Sequence, residues 1–251
     1  MSKIFFVLFP GAFGNQEEKY IDFWFQHVIQ KISQWAEVSE REIHIVKICY
    51  QGKTLEHCVR GILKQVENIP DGTAIPICYS MGGPIMECVA MKRPKLFVHP
   101  IGIATTGLGM TLGGIFKTLF TIWNIFLVGL FTQTLIMTPR AIDRLFFGGR
   151  GSEEEKKEIV KHIHPQSIWM IFELIVLLLF RTFNGKKEHP SLSFSLFFSA
   201  TVLVPAKCPI ASHTRFGTNV SIVQIPNTYH GVILQKHFIS PFLEKVLKTI
   251  L

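Results

Sequence analysis

The segment Cys78-Tyr79-Ser80-Met81-Gly82-Gly83 joins an apolar run, AIPICYS (74–80), to a stretch of helical character, Met81–Met91, and places a serine on the turn between them. A serine on a sharp strand-to-helix turn has its Oγ pushed out over the carboxyl edge of a sheet, where it can attack an acyl carbon. Such a turn needs small residues two positions before and two positions after the serine, because both touch neighbouring backbone. Gly82 meets that demand, and Cys78 occupies the earlier position. Other reactive patterns are weaker. His162 and His164 stand at the end of a helical stretch, where alternate residues face apart and do not share a metal. The sequence holds no P-loop and no GxGxxG, so neither a cofactor nor a metal is expected. The five Cys are odd in number and form no CxxC, which suits a reducing, cytoplasmic setting and makes the Asn219-Val220-Ser221 sequon irrelevant.

A serine of this kind acts only if a sheet presents it, and the chain's pattern supplies one. IFFVLF (4–9) stops at Pro10-Gly11 and reads as a first strand, its apolar run being too short for a signal peptide. From Glu17 onward Ile21, Trp24 or Phe25, Val28, Ile32 and Trp35 recur at steps of three and four, one face of a helix. EIHIVKICY (42–50) is a second strand, and a helix near 54–66 follows with Leu55, Val59, Leu63 and Val66 in register. After the strand at 74–80 and its helix come KLFVHPIGI (95–103), FSATVLV (198–204) and VSIVQI (220–225), and an amphipathic helix closes the chain at 237–251. Strands separated by helices pair in parallel through right-handed crossovers. The expected fold is therefore α/β, a doubly wound, mostly parallel sheet of about six strands.

Composition narrows the partners. A chain of 251 residues buries a substantial core without disulfides, and 48% apolar against 18% charged residues excludes intrinsic disorder. The 22 Phe beside 4 Tyr point to apolar volume rather than hydrogen-bonding aromatics. The net charge of +8 divides unevenly: residues 1–103 carry 11 basic and 10 acidic side chains, 104–190 carry 10 and 7, and 191–251 carry 5 and 1. There is no run of five or six like charges and no interleaving of Lys or Arg with aromatics, so a nucleic-acid partner is not expected.

With its Ser-Met-Gly-Gly phrase, the turn at Ser80 resembles the nucleophile elbow of the α/β-hydrolase family, which reads G-x-S-x-G. The resemblance covers residues 1–103 and 191–251 and lacks the two strands that open the family's sheet. It implies an oxyanion hole in the loop LFPGAFGN (8–15), built from the amides of Ala12, or of Phe13 in its place, and of Met81. It implies a late base, and His230 lies between the last strand and the terminal helix, where a neutral imidazole can take the Ser80 proton and return it to the leaving group. It also implies an Asp or Glu just beyond the fifth strand, but VLVPAKCPIASHTRF (202–216) has Cys208 there, and the other family position, HPIGIATTG (99–107), has no acid. Glu188 precedes the fifth strand, at the wrong end of the sheet, and Asp143 could reach His230 only if the insert folds back. The expected orienter of His230 is thus Cys208, Ser212, a backbone carbonyl or an acid from the insert.

That insert is residues 104–190, expected to be helical without strands. TLFTIWNIFLVGLFTQTLIM (118–137) runs twenty residues without a charge, a length that can span a bilayer, while IWMIFELIVLLLF (168–180) is shorter and contains Glu173. Three placements stay open: a membrane span, an interfacial cap dipping into one leaflet, which suits the basic surplus of the insert, and a buried helical lid. Two functions stay open as well. One is a serine hydrolase or acyltransferase acting on carboxylic esters or thioesters with apolar acyl groups. The other is a hydrolase-like protein without turnover that binds a lipid, a membrane or a protein partner through the insert. The cytoplasm is the expected location, with peripheral membrane attachment in the leaflet-dipping case.

Overall fold

The computed structural model describes residues 3–250 apart from 15, 16, 40, 122, 185–193, 195, 196, 198, 209 and 210. The chain runs β1 (Lys3–Phe9), α1 (Glu18–Val38), β2 (Glu42–Lys47), α2 (Leu55–Gln65), β3 (Ala74–Tyr79), α3 (Gly82–Lys92) and β4 (Ile101–Ile103). Then follow α4 (Leu112–Thr121), α5 (Trp123–Thr132), β5 (Thr134–Leu135), α6 (Pro139–Ile142), a π-helical turn (Asp143–Phe147), α7 (Glu153–Lys161), β6 (Gln166–Ser167) and α8 (Ile168–Asn184). The chain closes with β7 (Ala200–Pro205), β8 (Val220–Ile225), a 3-10 turn (His230–Leu234) and α9 (Lys236–Ile250).

Six strands form one sheet in the order β2-β1-β3-β4-β7-β8, with every neighbouring pair parallel. The chain leaves β1 toward one edge to form β2 and returns on the other side of β1 to form β3. At that reversal the connections leave β1 and β3 on opposite faces, which opens a crevice at their carboxyl ends, where ligands of such sheets bind. Phe9 of β1 pairs with Cys78 of β3, so the loop after Phe9 and the turn at Ser80 meet at the crevice. Both sheet faces are covered, which is why β3 is buried at all six residues. The α1 stripe of Ile21, Trp24, Phe25 and Val28 packs with Leu243 and Val246 of α9 on one face. Val59 and Ile62 of α2 and Ile85 and Val89 of α3 pack on the other.

Two expectations need correction. The strand proposed at 95–103 shrinks to Ile101–Ile103, because Pro100 has no amide to give to the ladder and His99 sits at φ 44, outside extended space. The insert is not free of strands, since β5 and β6 pair antiparallel. They follow from the break at Gln133, whose φ of 58 ends α5 and turns the chain. The uncharged run 118–137 is broken there and again between Thr121 and Trp123, where α4 and α5 are bent by 76° to each other. Among the described residues no single helix is long and apolar enough to cross a membrane, although the bent pair has the length and composition together.

Candidate active site

Ser80 is the first residue after β3 and has φ 52, a left-handed conformation that costs a non-glycine residue about 1–3 kcal/mol. The turn is held by its backbone: the Ser80 amide donates to Ile103 O at 3.3 Å, and Ser80 O accepts from Thr105 Oγ1 at 2.5 Å. Close packing dictates the small residues around it. A Cβ on Gly82 would lie 2.2 Å from Phe9 O, and one on Gly11 would lie 3.0 Å from Ser80 Cβ. Cys78 fits at the earlier elbow position, fully buried and paired with Gly102 of β4.

His230 Nε2 lies 2.8 Å from Ser80 Oγ. The imidazole is gripped on several sides. Tyr79 stacks on it at 5.1 Å and donates its hydroxyl to His230 O at 3.1 Å, and Phe146 of the π-helical turn meets it edge-on at 5.5 Å. A Cβ at Gly231 would come within 2.9 Å of Phe146 O, so the residue after the histidine has to be small for the insert to pack there. Only 2% of His230 is exposed, and this burial pushes its pKa down to about 3. At neutral pH the ring is therefore uncharged, the form that can accept a proton.

The second ring nitrogen faces sulfur. Cys208 Sγ lies 3.2 Å from His230 Nδ1, and Sγ also accepts the Ala211 amide at 3.4 Å. Ser212 does not reach the imidazole; its hydroxyl donates to Cys208 O, because the 3-10 turn Ala211–His213 folds it back toward the chain it follows. The acids are engaged elsewhere. Asp143 Oδ1 accepts the Gly151 amide at 2.9 Å, Glu173 Oε2 accepts the Leu55 amide at 2.6 Å at the start of α2, and buried Glu87 accepts the amides of Leu108 and Phe194. Glu188 lies outside the described residues.

The loop after β1 supplies amides. Tyr50 anchors it by donating to Pro10 O at 2.7 Å. The Phe13 amide donates to Gln166 Oε1 at 3.5 Å, so Phe13 is already engaged, and its φ of 71 turns the loop. The amides of Ala12 and Met81 have no acceptor among the described residues. Ala12, Ser80, Met81 and His230 border a cavity of about 140 Å³. Its remaining wall is mostly apolar, Thr106 and Thr118 apart, and comes largely from the insert, with Ile115 and Leu119 of α4 and Leu174, Ile175 and Leu178 of α8. Tyr79, Phe146 and Gln166 escaped the sequence reading. Tyr79 could have been found from its place inside the elbow; the other two come from the insert, where no local pattern marks a contact with a loop far away in the chain. The two insert histidines pack against rings, His162 stacked on Phe23 at 3.9 Å and His164 edge-on to Tyr20 at 4.2 Å.

A hydroxyl and a neutral imidazole within hydrogen-bond reach, with unengaged amides beside them, form the constellation for acyl transfer through serine. The fold agrees. No family model and no curated protein matches the sequence. Solved structures do match over nearly the whole chain. A tomato methylketone synthase I has a TM-score of 0.68 at 10% identity, covering 99% of this chain and 98% of that one. An extracellular α/β-hydrolase from a Paenibacillus species gives 0.64 at 10% identity over 96% and 98%. A polyneuridine aldehyde esterase gives 0.61 at 10% over 98% and 99%. The chain has the α/β-hydrolase fold.

Proposed function

We propose that the protein is a serine hydrolase that cleaves carboxylic esters or thioesters with apolar acyl groups. The observation that carries this reading is the 2.8 Å contact between Ser80 Oγ and His230 Nε2 on a strained turn at the edge of an apolar cavity. Ser80 attacks the acyl carbon as His230 takes its proton, and the amides of Ala12 and Met81 receive the developing oxyanion, a contribution of about 3–4 kcal/mol per donor. His230 then protonates the leaving group, and water repeats the sequence on the acyl-enzyme. Transfer to an acceptor other than water would use the same groups. Residues 104–190 act as a lid whose α4 and α8 hold the acyl chain. The tomato enzyme is described in complex with β-ketoheptanoate and with 2-tridecanone, carbonyl compounds with apolar chains, which supports a substrate of that shape.

Cys208 favours a second reading, in which the fold binds an acyl compound without turning it over, because a thiol orients the imidazole less firmly than a carboxylate. Hydrolysis of p-nitrophenyl esters from acetate to laurate separates the two. The hydrolase reading expects activity rising with chain length and lost in Ser80→Ala and His230→Ala. Binding of long-chain esters with no release above the Ser80→Ala background establishes the second.

A further inference from the structure

We infer that the insert docks the outer faces of α4, α5 and α8 into one leaflet of a phospholipid bilayer, and that the ester reaching Ser80 is a membrane lipid drawn in between α4 and α8. The substrate half of this inference rests on the hydrolase reading; the docking half does not.

The two helices that wall the cavity are largely apolar on both sides. Ile115 and Leu119 of α4 and Leu174, Ile175 and Leu178 of α8 face the space beside Ser80. On the outer sides of the same helices Phe116, Phe120, Phe172 and Phe180 are 65%, 85%, 46% and 62% exposed. Water-facing phenylalanines at this density are not the ordinary scatter of apolar surface residues, and they are continuous with the acyl cavity. Helix α5 goes further. It has no charged residue in its ten positions and exposes Trp123, Leu127, Val128, Leu130 and Phe131, the last at 90%.

Negative charge is kept off this face. Glu173, the acid within α8, turns to the amide of Leu55 rather than outward, and the other charged residues of α4 and α8, Lys117 and Arg181, are both cations. The bend of 76° between α4 and α5 suits a wedge that enters and leaves from one side. A polar rim lies where α5 ends and α8 begins: Lys53, Thr132, Gln133, Gln166 and Ser167 border a separate hollow of about 300 Å³, with half-exposed Trp169 at its edge. A cation and an indole beside an acid-free aromatic surface match the headgroup level of an anionic leaflet, where tryptophan and lysine side chains concentrate. A protein partner would leave α5 apolar around most of its circumference; hydrocarbon covers it from every side.

Flotation with vesicles of phosphatidylcholine, alone and with phosphatidylserine, tests the docking. Wild type and Ser80→Ala are expected to float, more with phosphatidylserine, and Trp123 and Trp169 to shift their emission to the blue. Phe120→Asp and Phe131→Asp should each lower partitioning about tenfold or more. Both should still hydrolyse soluble p-nitrophenyl acetate at the wild-type rate while losing fatty-acid release from vesicle-borne esters. Wild type that stays at the bottom with both vesicles, or floats equally well with both aspartates in place, overturns the docking even if it cleaves the soluble ester. A patch that only joins two copies of the chain, seen as a change of size on gel filtration without flotation, overturns it too. Flotation lost in the aspartate variants with no esterase activity anywhere sustains the docking and removes the hydrolase reading.

Discussion

Cys208 Sγ lies 3.2 Å from His230 Nδ1, at the position where the resemblance of the sequence to the α/β-hydrolase family implies a carboxylate. A carboxylate can only accept, so it holds the proton on Nδ1 and leaves Nε2 open for the serine proton. A thiol both donates and accepts. With S–H pointing at Nδ1 the imidazole proton moves to Nε2, the tautomer that cannot act as base, and one sulfur lone pair is already taken by the Ala211 amide. Loss of tautomer control lowers turnover in serine proteases by about 10⁴-fold. Cys208→Asp is therefore expected to raise kcat on p-nitrophenyl esters about tenfold or more, with KM little changed. Cys208→Ser, which keeps both tautomers accessible, should give no such gain.

The buried imidazole makes stability depend on pH. Its folded pKa of about 3 lies below the ordinary value near 6.5, so the unfolded chain takes up the proton first as pH falls. Stability from this group is complete above about pH 6.5 and declines by up to about 1.4 kcal/mol per pH unit between there and about pH 3. Urea midpoints measured across that window should fall more steeply for wild type than for His230→Asn.

Gly82 is fixed by the backbone of β1. Gly82→Ala drives a Cβ to 2.2 Å from Phe9 O, which neither strand can yield without moving the elbow. A loss of about 1–3 kcal/mol in chemical denaturation is expected, accompanied by loss of esterase activity. Gly72, whose added Cβ meets nothing within 4 Å but whose φ is 75, provides the contrast: Gly72→Ala should lower stability through strain alone and leave activity intact.

Tyr79 positions the base through its hydroxyl and its ring. Tyr79→Phe keeps the stack and removes the bond to His230 O, so stability should drop by about 1 kcal/mol and kcat by less than tenfold. Tyr79→Ala removes both, and its kcat should fall well below that of the Phe variant at similar KM, as measured with the acetate ester.

The six sheet strands, Ser80 and His230 were legible because each is marked locally, by an apolar run bounded by Pro or Gly, or by a serine and a histidine at fixed places among strands. Cys208 was legible as an occupant of the acid position, and the sulfur does face Nδ1. Ser212, one of the alternative orienters, turns instead to Cys208 O, a turn hydrogen bond that spacing does not encode. The insert is legible only as apolar and helical. Its split at Gln133 depends on one left-handed residue, and the contacts of Phe146 and Gln166 with the site join segments about 85 and 150 residues apart in the chain, beyond any periodic signal. Glu87, the one acid of α3, gives no local hint that its carboxylate closes the amides of Leu108 and Phe194.

The proposed function makes Ser80 a nucleophile activated by His230. Incubation of the folded protein with a fluorophosphonate, followed by intact mass and peptide mapping, tests it directly. One adduct on Ser80 is expected in wild type, with none in Ser80→Ala and a strongly slowed reaction in His230→Ala. Folded wild-type protein that stays unmodified, or that reacts at a residue other than Ser80, would contradict it.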